Sequence, residues 1–313
     1  MPWWLFRRRR ESRAAEGVKV TGRPPRRSPD EVALPRLQGS RRYLGEQPYL
    51  LPKDLGEVNR LDFQHYVLRS VLKGNYLAPV RRPRRILDVG CGTGQWAIEL
   101  AQQFPEAEVI GLDVEQVKTR SAPPPNFRFV QGDILEGLPF EEGYFDFVHQ
   151  RLLFLAIPLP AWPGVVQDLA RVTAPGGWIE LVEGSPSSSS FVPAGPATQQ
   201  LCGLIGQLAS LRGLDSEGVV MRSLERYLVE AGLINIQRCP IEIPVGEWGG
   251  RLGSLMALDV REGVKAVSAP VAARFGMSES EVLNLLDRAS QEWNELRTSY
   301  SLAVAYGQKP AIG

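Results

Sequence analysis

The stretch Arg85-Ile86-Leu87-Asp88-Val89-Gly90-Cys91-Gly92-Thr93-Gly94-Gln95 constrains this chain more than any other. Apolar residues run into an acidic one, three glycines then fall at alternate positions, and Trp96-Ala97-Ile98-Glu99-Leu100-Ala101 takes up helical spacing. The pattern predicts strand, tight loop and helix. Bare backbone in the loop admits a ligand at close range, and the helix start offers it unpaired N–H groups. Register excludes two common nucleotide loops. Gln95 stands where a dinucleotide fold places its third glycine or alanine, and no Gly-Lys-Ser/Thr ending follows to cradle a phosphate.

Six further strands are predicted: 108–113 ending in Asp113, 127–131 before Gly132-Asp133-Ile134, 144–151 ending in His149-Gln150-Arg151, 178–183 ending in Glu183, 234–243 and 299–306. Asp113 follows Asp88 by one helix and one strand, so both carboxylates emerge on the same edge of a parallel sheet. The alternation predicts an α/β fold, a doubly wound, seven-stranded, mostly parallel sheet. An amphipathic helix precedes it, with Asp54 as N-cap and Glu57 as its capping-box partner. On that helix Arg60, Gln64 and His65 are within reach of a ligand, against the plainer readings of a surface salt bridge for Arg60 and a packed imidazole for His65. Three helices (251–261, 264–275 and 278–297, the last capped by Ser278 with Glu281) are expected as an insertion before the final strand.

The glycine loop resembles the first motif of class I S-adenosylmethionine (SAM)-dependent methyltransferases, which have a Rossmann-like sheet. That resemblance implies SAM as cofactor, with Asp88, Gly90, Cys91 and Gly92 at its methionine half and Asp113 at its ribose hydroxyls. It also implies Asp133 and Ile134 at the adenine, with Val114 against the other face of the ring. The end of the fourth strand borders the reacting methyl group in that family, which brings Gln150 to the cofactor. His149 and Glu183 are the strand-end candidates for a general base, each with a structural role as the alternative. The fourth strand lacks the Asn/Asp-Pro-Pro-Tyr/Phe of nucleic-acid amino-methyltransferases, which argues against a nucleic-acid acceptor. Leu51-Pro52, Asn59-Arg60-Leu61-Asp62, Gln64-His65, Phe145 to Arg151, Pro175 to Glu180 and Tyr306-Gly307-Gln308-Lys309-Pro310 resemble the fungal-type secondary-metabolism subfamily, the TAM-domain proteins. The match runs from about Tyr49 to Pro310 and implies a small-molecule acceptor.

Composition narrows the alternatives. A formal charge of +1 over 313 residues provides no global field for nucleic acid. Three scattered cysteines and two histidines have no metal-ligand spacing, so no metal is expected, and no apolar run is long enough for a membrane span. A cytoplasmic protein is expected; nothing in the sequence sets its oligomeric state. Residues 1–40, with Arg7 to Arg10 and a Pro/Arg/Ser mixture, read as a disordered basic tail, and 41–313 as the methyltransferase domain. Within it, 184–216 is a flexible linker and helix suited to a lid, and 250–298 a helical cap. The alternative functions are an RNA or protein methyltransferase using the basic arm, and a SAM-binding regulator without turnover.

Overall fold

The computed structural model describes residues 36–38, 41–43, 49–51, 55–116 and 122–311. The expected disordered tail lies outside these residues except for Arg36–Gln38 (β1), which pairs antiparallel with Arg41–Tyr43 (β2). Asp54 also lies outside them.

The helix α1 (Leu55–Leu72) leads to the main sheet. The alternation continues through β3 (Arg85–Val89), α2 (Gln95–Gln103), β4 (Glu108–Asp113), β5 (Phe127–Gln131), β6 (Phe145–Arg151), α3 (Trp162–Val172) and β7 (Thr173–Glu183). Then follow β8 (Phe191–Val192), α4 (Pro196–Ser210), α5 (Val219–Glu230), β9 (Ile234–Pro244), α6 (Gly250–Phe275), α7 (Glu279–Glu295) and β10 (Ser299–Gln308). All seven expected strands are present, in the order β5-β4-β3-β6-β7-β10-β9. The two-residue β8 is an eighth, pairing β10 where β7 has ended. Every junction from β5 to β7 is parallel, and β10 runs antiparallel to both neighbours.

Strands β3, β4 and β6 are covered on both faces, which is why they read as nearly continuous apolar runs. Ile86, Val109 and Phe147 face α2, where Trp96, Ala97 and Leu100 close one layer. Leu87, Ile110 and Val148 face the other way, against Trp162, Val166 and Leu169 of α3 and Leu224 of α5. A third cluster joins α1, α4, α6 and α7 above the carboxyl ends of the strands.

Two expectations change. Helix α6 is one helix of 26 residues, not two separated near Gly263. A lone helical glycine costs only about 1 kcal/mol, and Met256, Val260, Val264, Val267 and Val271 keep helical spacing across it while packing into the third cluster. Residues 184–196 are not an open linker. They contain a helical turn (Ser188–Ser190) and β8; Ser185 and Ser190 are buried, and the Ser185 backbone exchanges hydrogen bonds with Tyr300 Oη (3.0 and 3.1 Å).

At the start of α7 the expected capping box is complete: Ser278 Oγ accepts from Glu281 N (3.2 Å) and Glu281 Oε2 accepts from Ser278 N (2.7 Å). Ser278→Ala is expected to cost about 1 kcal/mol, read as a lower denaturant midpoint with an unchanged slope.

Candidate active site

At the end of β3 the chain passes through Gly90 and Gly92 with φ of 67° and 54°, dihedrals that favour glycine. A Cβ at Gly90 would lie 2.6 Å from Leu153 Cδ2, so a side chain there would force Leu153 to move. The N–H groups of Gly90 and Cys91 donate to Leu112 O (2.8 and 3.0 Å), and Gly92 N donates to Asp113 Oδ2 (2.9 Å). The carboxylate closing β4 therefore holds the glycine loop as well as facing the space above it.

That space is a cavity of about 300 Å³. Eight of the nine expected cofactor residues line it: Asp88, Gly90, Cys91, Gly92, Asp113, Val114, Asp133 and Ile134. Gln150 is fully buried and does not line it.

Neither general-base candidate reaches the cavity. His149 lies flat on Trp96 (ring centroids 3.8 Å apart, planes 5° from parallel), with Nδ1 2.9 Å from Asp88 Oδ1. Burial drives its pKa below the ordinary histidine value despite Asp88, so the ring is a neutral packing element that orients the Asp88 carboxylate. Glu183 is fully buried and accepts from Leu153 N (3.0 Å) and Phe154 N (3.1 Å), fixing the segment that meets Gly90. Both have structural partners, and neither lines the cavity.

Burial raises Glu183 to about 8 and Glu180 to about 7, from an ordinary value of 4.5. The folded protein therefore holds more protons than the unfolded chain between pH 4.5 and those values, and stability falls as pH rises through that window. His65, lowered to about 4 chiefly by burial, acts in the opposite sense between pH 4 and 6.5. The melting temperature is expected to fall from pH 6.5 to 9, and Glu183→Gln to flatten part of that fall in a calorimetric series.

The helix α1 contributes more than the sequence indicated. Arg60 is no surface residue: 8% exposed, it donates to both Glu57 oxygens (2.9 and 2.6 Å) and to Asp259 Oδ1 of α6 (3.1 Å). Gln64 donates to Asp259 Oδ2 (3.0 Å). His65 is both packed and at the cavity, its Nδ1 accepting from Arg151 Nη2 (3.2 Å) and its Nε2 3.3 Å from Glu99. Arg151 and Asp259 were missed as site residues. The signal for Asp259 was a carboxylate within the apolar stripe of α6; for Arg151 it was a cation closing β6 at the edge where the ligand is expected. Among the described residues no group of three or more His, Cys, Asp or Glu is placed to hold a metal, and no helix is long and apolar enough to cross a membrane.

A methyltransferase-domain family model matches residues 86–177, from β3 into β7. Methyltransferase pytC of Aspergillus terreus is 32% identical over 288 residues, 86% of this chain and 86% of that one. The chain belongs to the class I SAM-dependent methyltransferases. Methyltransferase str3 of Strobilurus tenacellus is 34% identical over 64% of this chain and 72% of its own. Secondary metabolism regulator LAE1 of Cochliobolus heterostrophus is 31% identical over 70% of this chain and 75% of its own. The cofactor of this methyltransferase is SAM, and the site fits it. The backbone of Gly90 and Gly92 borders the cavity, and the Asp113 carboxylate closing the neighbouring strand borders it too.

Proposed function

We propose that this methyltransferase acts on a small, largely apolar metabolite, and that the cavity holds cofactor and acceptor side by side. The observation that carries the reading is the cavity's continuity. It runs from the glycine loop into a compartment walled by Leu201, Ile205, Met256, Val264 and Trp293, from α4, α6 and α7. In this reading Asp88, Gly90, Cys91, Gly92, Asp113, Val114, Asp133 and Ile134 hold the cofactor. Residues 184–216 serve as lid and 250–298 as cap. The names of relatives support it: pytC and str3 are both methyltransferases.

SAM supplies a methyl group bonded to a sulfonium, already activated for displacement. The chain's part is to align an acceptor atom with it and keep water out, for which preorganisation provides on the order of 7–11 kcal/mol. The buried ion pairs joining α1 to α6 and the apolar wall above the strand ends do this work.

A regulator that binds SAM without turnover is the second reading, favoured by the likeness to LAE1 and by the absence of His149 and Glu183 from the cavity. Incubating the full chain with methyl-labelled SAM and a cell metabolite extract separates the two. Label in a low-molecular-weight product is expected; label retained only on protein, or none transferred, removes the small-molecule reading.

A further inference from the structure

Helix α6 turns a stripe of residues toward the cavity. Met256, Val260, Gly263 and Val267, spaced so that they stack on one side of a helix, all line it. Gly263 thus stands inside a row of side chains that border the ligand space and contributes none itself.

A glycine in a helix interior needs a reason, because alanine there loses less backbone freedom on folding and holds the helix better. The ordinary reasons are excluded at Gly263. Its backbone is helical and is not in the positive-φ region that Gly250 and Gly276 adopt at the two ends of α6. No other element presses on it: beyond its own helix backbone and chain neighbours, a Cβ built there meets no atom within 4 Å. Gly253 on the same helix is the contrast, since a Cβ there would collide with Gly246 O. Gly203 of α4 also meets nothing within 4 Å, but it is exposed and does not line the cavity. At Gly263 the open space lies in the cavity wall.

Building on the small-molecule reading, we propose that Gly263 is a specificity-determining residue: the room left by its missing side chain belongs to the methyl acceptor, whose widest part rests on the bare turn of α6. Its neighbours put that room on the acceptor's side. Met256 and Val264 wall the apolar compartment together with α4 and Trp293, whereas the residues proposed for the cofactor lie at the ends of β3, β4 and β5. A side chain at 263 would narrow the compartment, and discrimination by width needs no charged group. Methyl transfer also requires the acceptor atom in line with the sulfonium, so a frame pushed outward at 263 loses alignment even where it still enters. Helix α6 gives up some stability for that width.

The test compares wild type with Gly263→Ala, Gly263→Leu and the exposed control Gly203→Leu, each as the full-length protein. Methyl-labelled SAM is supplied over a dilution series of the metabolite extract, with calorimetry of S-adenosylhomocysteine binding and a melting curve alongside. Gly263→Ala is expected to melt about 2 °C higher through helix propensity, yet to need threefold or more extract for half-maximal labelling. Gly263→Leu should need tenfold or more. Affinity for S-adenosylhomocysteine should stay within twofold in both, and Gly203→Leu should label as wild type does. Unchanged half-saturation in Gly263→Leu would overturn the proposal, as would an equal rise in Gly203→Leu. A melting temperature lowered by Gly263→Ala would overturn it too, because packing would then exclude the Cβ. So would S-adenosylhomocysteine weakened as much as labelling, because the room would then be the cofactor's. If Gly263→Leu does not fold, Gly263→Ala decides alone, a stabilised variant with unchanged half-saturation counting against the proposal. Failure of the wild type to label any low-molecular-weight product, with S-adenosylhomocysteine still bound, sinks the small-molecule reading before any variant is compared, and the acceptor's claim on Gly263 with it.

Discussion

Asp113→Ala is expected to weaken S-adenosylhomocysteine binding by about 30-fold or more, equivalent to about 2 kcal/mol. Two losses combine. In the proposed site the carboxylate at the end of β4 would accept the ribose hydroxyl protons in charge-assisted hydrogen bonds, and its Oδ2 also holds Gly92 N at 2.9 Å. Without it the loop loses its tether to β4, and Gly92 is left to a φ of 54° with no side-chain partner. Asp113→Asn separates the two contributions, since an amide oxygen still accepts from Gly92 N but carries no charge. An intermediate affinity is expected for Asn. Calorimetry giving wild-type affinity for the Ala variant would remove Asp113 from the cofactor site, and equal losses for Ala and Asn would assign its whole contribution to charge.

The part of the cavity proposed for the cofactor was legible because its sequence pattern is local. Alternate glycines after Val89 and a carboxylate ending each of two neighbouring strands are short-range patterns, and the parallel sheet brings them to one edge. The acceptor half was not, because it depends on pairs distant in sequence. Arg60 and Asp259 are 199 residues apart, and His65 and Arg151 are 86 apart. Nothing in the spacing of either partner signals the other. That His149 and Glu183 do not line the cavity was hidden for a related reason. A strand buried on both faces has no polar side to distinguish, so a titratable residue at its end can turn to the ligand or into the structure. His149, beside Asp88 in register, faces α2 and stacks on Trp96; Glu183 turns to the backbone of Leu153 and Phe154. Gly263 misled in the opposite direction, a weak breaker overruled by an apolar stripe that spans it.

Removing the Arg60 guanidinium is expected to have the largest effect on stability. Arg60→Met keeps much of the side-chain volume but leaves the carboxylates of Glu57 and Asp259, 2% and 5% exposed, facing each other without a cation. Breaking a buried pair in this way costs about 3–5 kcal/mol, and here one residue serves two pairs. The loss should depend on pH. Burial already pushes Asp259 above the ordinary carboxylate value while Arg60 pulls it down. In the variant Asp259 should hold its proton to higher pH, so the deficit grows from pH 5 to 8 and shrinks in acid. The triple variant Glu57→Gln, Arg60→Met, Asp259→Asn should recover much of the stability, because it leaves no buried charge. Melting curves at pH 5 and 8 check both statements, and a pH-independent loss would mean that Arg60 acts through packing alone. Because α1 and α6 meet at this network above the glycine loop, the single variant should also bind S-adenosylhomocysteine more weakly at pH 8 than at pH 5. The triple variant should show the same affinity at both, which ties the roof over the cofactor to one neutralised cluster of charges.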